Sequence, residues 1–162
     1  MGTAVQGEQE MTDKLWDGVF EKKVSSIIEK FTASISFDRK LGKHDIKGSI
    51  AHVEMLARCK LISQGEQTII IKGLKEIADE ITSGKFRFSP VDEDIHLAIE
   101  KRLHRKIGKA AGKLHTARSR NDQVVLDVRL FLRDEIRLTV DLLKGMQGCI
   151  VNMAEKNIKA VM

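Results

Sequence analysis

Residues 122–156 read DQVVLDVRLFLRDEIRLTVDLLKGMQGCIVNMAEK, and no proline interrupts them. Apolar residues recur at Val125, Val128, Leu132, Ile136, Val140, Leu143, Ile150 and Met153, with Gln147 as the one polar exception. That three-and-four spacing lines one face of an α-helix. Gly145 and Gly148 weaken the pattern without ending it. A helix over this stretch would run about 52 Å at ~1.5 Å per residue. It is apolar on other sides too, at Val124, Leu126, Leu130, Phe131 and Leu142. Short helices cannot cover such a rod, so the pattern predicts a bundle completed by further chain or by other subunits.

Upstream, residues 101–120 carry eight Lys or Arg (Lys101, Arg102, Arg105, Lys106, Lys109, Lys113, Arg118 and Arg120) and no Asp or Glu. Two guanidinium forks, a hydroxyl and a carboxamide, from Arg118, Ser119, Arg120 and Asn121, stand just before the predicted helix start, where Asn121 or Asp122 is placed to cap. Free backbone N–H groups and the positive end of the helix dipole favour an anion there. Arginine forks match carboxylates bidentately. Phosphate would fit the same set, so the spacing names an anion and no more.

Further upstream the helical period continues. Val24, Ile27, Ile28 and Phe31 share one face, and a second helix is expected from Lys43 to Leu61. Ser63 and Glu66 have the spacing of a capping box, and the helix they open carries Ile70, Leu74, Ile77 and Ile81 towards a stop at Gly84. Phe86 and Phe88 alternate with other residues as in a short strand, and Ser89-Pro90 reads as a cap followed by proline in a first turn. The helix after it shows Ile95, Ile99, Leu103 and Ile107, then Gly108, and a loop continues to His115. The fold class predicted is all-α: an arm over 1–21, a helical domain over 22–121, and the first long helix of a central bundle over 122–162.

Composition agrees. The chain has 162 residues, 42% hydrophobic and 31% charged, as in an ordinary globular domain. With no Tyr and few Phe or Trp, its core must be aliphatic. Cys59 and Cys149 read as buried thiols of a reducing compartment. Two cysteines without close spacing do not make a structural zinc site. The first twelve residues lack an apolar signal core and no apolar run is long enough to span a bilayer, so a cytosolic protein without membrane partners is expected. The net charge of +5 leaves nucleic acid open, but aromatics for stacking are scarce and no known module pattern occurs, so no nucleic-acid partner is expected.

The run Lys113-Leu114-His115-Thr116-Ala117-Arg118-Ser119-Arg120-Asn121-Asp122-Gln123-Val124 resembles the first signature block of the argininosuccinate lyases and the related delta-crystallins. Other stretches resemble that family in the same order: Lys14-Leu15-Trp16 with Gly18 and Phe20, Glu29-Lys30-Phe31 with Ala33-Ser34-Ile35 and Asp38, Asp45-Ile46 with Gly48-Ser49, Gly84-Lys85-Phe86, and Glu93-Asp94-Ile95-His96. The resemblance implies an all-α homotetramer with shared active sites. The implied reaction is cleavage of argininosuccinate to arginine and fumarate, with no metal and no organic cofactor. Ser34 and Asn121 would contact substrate, Ser119 and Arg120 a succinyl carboxylate, and Asp94 the arginine side. His96, His115, Thr116, Arg118 and Gln123 would orient those groups.

The chain also departs from the family. Asp17 and Val19 replace a glycine and an arginine of the arm, Gly42 replaces a bulky residue, and Ala98 an asparagine. The family's later blocks, one with a Thr-His pair and one a Gly-Ser-Ser loop bearing the catalytic serine, are absent, so the catalytic groups are expected beyond Met162 and none within this chain. A truncated module that only assembles with full-length subunits is the alternative expectation.

Overall fold

The computed structural model describes Ile28, residues 31–89 and residues 92–161. The arm expected over 1–21 and most of the helix expected from Lys22 lie outside them; Ile28, Phe31 and Thr32 are helical. The chain divides into two units, Met1–Thr32 and Ala33–Met162, and every element from Ile35 onward belongs to the second.

The fold is all-α, with no strand among the described residues. A single turn, α1 (Ile35–Asp38), and a 3-10 turn (Arg39–Leu41) lead into α2 (Gly42–Arg58). Then come α3 (Gln64–Thr82), α4 (Ile95–Ile107), a 3-10 segment (Gly108–His115) and α5 (Arg120–Lys156). The 3-10 segment stands where a loop is expected from the sequence. Phe86 and Phe88 form no strand; their rings meet tilted at 46°, 4.8 Å between centroids, and Phe86 is buried in the core.

Local chemistry sets most helix ends. At α3 the capping box forms: Glu66 N–H donates to Ser63 Oγ at 3.2 Å and Ser63 N–H to Glu66 Oε2 at 2.9 Å. Both α2 and α3 end in the same six-to-one backbone wrap. Leu61 N–H donates to Leu56 O at 2.9 Å, and Lys85 N–H to Glu80 O at 2.8 Å. The wrap needs a left-handed residue, supplied by Gly84 (φ 69°) and, without glycine's freedom, by Lys60 (φ 59°). The Ser89-Pro90 start is corrected: α4 begins at Ile95, capped by Asp94, whose carboxylate accepts from Leu97 N–H at 2.6 Å. Asp38 adds a second anchor from α1 by accepting from Ile95 N–H at 3.2 Å.

The core lies between α2, α3 and α4. Val53 and Leu56, then Ile70, Leu74 and Ile77, then Ile95, Ile99 and Leu103 are at most 1% exposed. Such aliphatic burial contributes roughly 1.5–3 kcal/mol per side chain. Both cysteines are exposed, contrary to expectation; Cys59 caps the end of α2 and Cys149 lies on α5.

At 37 residues, α5 is about 55 Å long. Its first three turns pack on α2 and the 3-10 turn before it, with Phe131 edge-on to His44 at 5.8 Å and under the Lys40 ammonium at 5.1 Å. From Leu132 to Lys156 every residue is exposed, apolar ones included.

Candidate functional site

The signature block forms the elbow between the 3-10 segment and α5. Its turn needs a left-handed residue, and Ala117 takes it at φ 53°. The helix cap is Ser119 rather than Asn121 or Asp122: its Oγ accepts from Asn121 N–H at 3.2 Å, and α5 opens at Arg120. Ser119 and Asn121 are exposed at this helix mouth.

The two arginine forks are engaged within the fold. Arg118 donates from Nη1 to Ser49 Oγ on α2 at 2.9 Å. Its Nη2 is buried without a hydrogen-bond partner among the described residues. Burial pulls the Arg118 guanidinium below its usual range, and the Asp45 and Asp127 carboxylates oppose that. Arg120 donates from Nη1 to Gln123 Oε1 at 2.8 Å and from Nη2 to Glu100 Oε2 on α4 at 2.9 Å. A guanidinium has five N–H donors. Those two bonds leave three Arg120 N–H groups without a hydrogen bond among the described residues.

Ser34 and Asp94 come together although sixty residues separate them. Ser34 N–H donates to Glu93 O at 2.7 Å, and Ser34 Oγ donates to Asp38 Oδ2 at 2.6 Å. Asp94 spends one carboxylate oxygen on its cap. His52 Nε2 holds Thr116 O at 2.9 Å, which fixes the elbow to α2. Burial pulls the His52 imidazole down and the Thr116 bond only partly offsets this, so the ring is neutral at pH 7 and donates through Nε2–H. His115 lies half-buried next along the chain, its carbonyl accepting from Arg118 N–H at 3.2 Å.

Two acids to which the sequence pattern assigns no site role lie beneath the block. His96 Nδ1 is 3.1 Å from Asp45 Oδ1 and 3.4 Å from Asp127 Oδ2, and Gln123 Nε2 donates to the same Asp45 oxygen. All four residues are at most 2% exposed. Burial pushes Asp45 upward, but the His96 hydrogen bond and charge, with Gln123 and Arg118, bring it below the usual carboxylate range. Burial would lower His96, yet the Asp45 bond and the Asp45, Asp94 and Asp127 charges raise it. Among the described residues, Asp127 has only the shared imidazole as a donor within reach. Burial, then the Asp45 charge, push it up to about 7.

Asp45, His96 and Asp127 offer ligand atoms within 4.8 Å of one another, as a metal would require. Their surroundings do not suit a cation: Arg118 already supplies positive charge, and His96 and Gln123 occupy Asp45 Oδ1. The arrangement sets one imidazole between two buried carboxylates.

The lyase family's sequence pattern matches residues 18–162. The argininosuccinate lyase of Syntrophus aciditrophicus is 52% identical over 92% of this chain and 32% of its own length. Those of Syntrophobacter fumaroxidans and Listeria innocua are 51% and 49% identical over 94% and 93% of this chain. The chain thus spans about a third of the length of these curated relatives.

Proposed function

This chain belongs to the lyase family, and from that premise we propose that it is the substrate-anchoring, N-terminal portion of an argininosuccinate lyase. The reaction is elimination of arginine from argininosuccinate with release of fumarate, in arginine metabolism in the cytosol. A base takes a proton beside a carboxylate, the electron pair is held as an aci-carboxylate, and an acid delivers a proton to the departing guanidino nitrogen. This chain's part is to bind and orient. Ser119, the three spare N–H groups of Arg120 and the Asn121 amide would grip the succinyl carboxylates at the mouth of α5. Asp94, with Ser34 nearby, would face the guanidinium of the arginine half. The proton-transferring groups fall to no residue here, and neither metal nor cofactor is called for.

The observation that carries this reading is the elbow itself: a polar, basic block set at the N-terminus of a 37-residue helix, with Ser119 and Asn121 exposed. The test is calorimetric titration of the purified chain with argininosuccinate and with succinate, alongside ultraviolet detection of fumarate. Binding that is lost in Asn121→Ala and Arg120→Ala, with no fumarate formed, is expected. Absence of binding would overturn the anchoring role, and sustained turnover the assignment of catalysis elsewhere.

The uncovered length of α5 favours a second reading, in which the chain acts by assembling with copies of itself or with full-length subunits. A homotetramer is the state proposed for the intact lyase.

A further inference from the structure

The buried acids have a use beyond anchoring α5. An ionised Asp45 can only accept hydrogen bonds, and Arg120 can only donate. The Gln123 amide between them is therefore fixed: Nε2 to Asp45, Oε1 to Arg120 Nη1. A weaker acceptor at Asp45 Oδ1 would loosen the amide, and with it one of the two acceptors of Arg120. How strongly Asp45 Oδ1 accepts from the amide depends on what His96 and Asp127 hold. Asp127 as a carboxylate has, among the described residues, only the His96 nitrogen at 3.4 Å that it shares with Asp45, but as a carboxylic acid it can donate to Asp45.

We propose that Asp45, His96 and Asp127 share a proton inside the fold and, through the Gln123 amide, set the orientation of the Arg120 guanidinium, so that Asp127 is a positioning residue for the anion-binding arginine. Its use in binding rests on the function proposed above; the relay itself does not. The charged groups facing the relay are Asp45 from α2, His96 and the capping Asp94 from α4, and Arg118 from the elbow, with Glu100 on the far side of Arg120. Ionising Asp127 draws the His96 proton away from Asp45. The hydrogen-bonded path by which the change reaches Arg120 is the Gln123 amide.

Nuclear magnetic resonance of the full chain, ligand-free, from pH 5 to 9 tests this. The probes are Asp127 Cγ, the His96 ring nitrogens and the Arg120 Nε–H signal. In the wild type, Arg120 and Asp127 are expected to inflect at the same pH. In Asp127→Asn the Arg120 inflection disappears. In Gln123→Leu Asp127 still titrates but Arg120 no longer responds. A flat Arg120 signal in the wild type, or an inflection that survives in Gln123→Leu, would overturn the relay, and the wild-type titration alone decides even if a variant fails to fold. Succinate is added last. If it shifts neither Arg120 nor Asn121, carboxylate anchoring fails while the relay stands.

Discussion

Arg120 and Glu100 form an ion pair, Nη2 to Oε2 at 2.9 Å, across the α4–α5 junction. The fork proposed to take an incoming carboxylate is thus held by a resident one. The pair is about a quarter exposed on each side (28% and 20%), so its contribution to stability is modest, about 1 kcal/mol or less. Its effect on a dianionic ligand is larger in sign than in size. Glu100→Gln removes a negative charge beside the helix mouth. The expected outcome is tighter succinate binding, by roughly two- to tenfold, with a loss of about 1 kcal/mol in urea unfolding. Weaker binding in Glu100→Gln would mean that Glu100 orients Arg120 rather than competing for it.

The buried carboxylate at α5 makes stability depend on pH in a direction opposite to most acids. Asp127 has an ordinary value near 3.8 when unfolded and about 7 when folded. The folded state therefore binds more protons between those limits, and the stability this group contributes is full below about 4 and lost as pH rises through 7. His96, raised by its carboxylates, acts in the same sense from 6.5 upward; Asp45, lowered, acts only on acidification below 3.8. Unfolding free energy should fall between pH 5 and 8, by at most a few kcal/mol at ~1.4 kcal/mol per unit. Asp127→Asn, neutral and nearly isosteric, should give a flatter profile, so that its advantage over the wild type grows from pH 5 to pH 8. Parallel curves for the two proteins would show that Asp127 does not titrate in this range.

Ala117 carries the elbow at φ 53°, where a Cβ meets the following carbonyl oxygen. A non-glycine residue there stores on the order of 1–2 kcal/mol. Glycine relieves it but adds up to ~1 kcal/mol of unfolded-state entropy. The net expectation for Ala117→Gly is a gain of about 0.5–1 kcal/mol by thermal unfolding, with Arg118 and Ser119 unmoved. A destabilised variant would place the strain elsewhere.

Features set by near neighbours in the chain are legible in the sequence. Ser63 and Glu66 lie three apart and cap each other, so their box is visible, as are Gly84 and Gly108 as stops and the long α5 itself. The start of α4 is only partly so: Asp94 caps it locally, but its second anchor, Asp38, comes from α1, and nothing near Ser89-Pro90 announces that. Arg120 is legible as an arginine at a helix mouth, but its partner Glu100 is twenty positions away on another helix. Asp45 and Asp127 are hidden because a lone acid on a helix ordinarily faces solvent. The one available signal is that Gln123 and Asp127 stand four apart, a polar pair on a face that Leu130 and Phe131 continue.

From Leu132 to Lys156, α5 touches nothing among the described residues that buries it, and Leu132, Ile136, Val140, Leu143 and Ile150 all lie exposed. Helical stability in water comes mainly from tertiary packing of an apolar face, and this length has none of its own. A second copy offers the same stripe, and a symmetric pairing would bury both at once. Ile136 and Leu143 stand seven apart, two turns along one face, so Glu at both sites puts two charges into any such contact. Each removes roughly 1.5–3 kcal/mol of burial per chain, before the cost of the charge. Sedimentation equilibrium should therefore find the wild type associated at micromolar concentration and the double variant Ile136→Glu/Leu143→Glu dissociated. The core of α2, α3 and α4 should unfold at the same urea concentration in both once each is dilute. A wild type that stays monomeric as concentration rises would remove self-association and leave longer subunits as the partner.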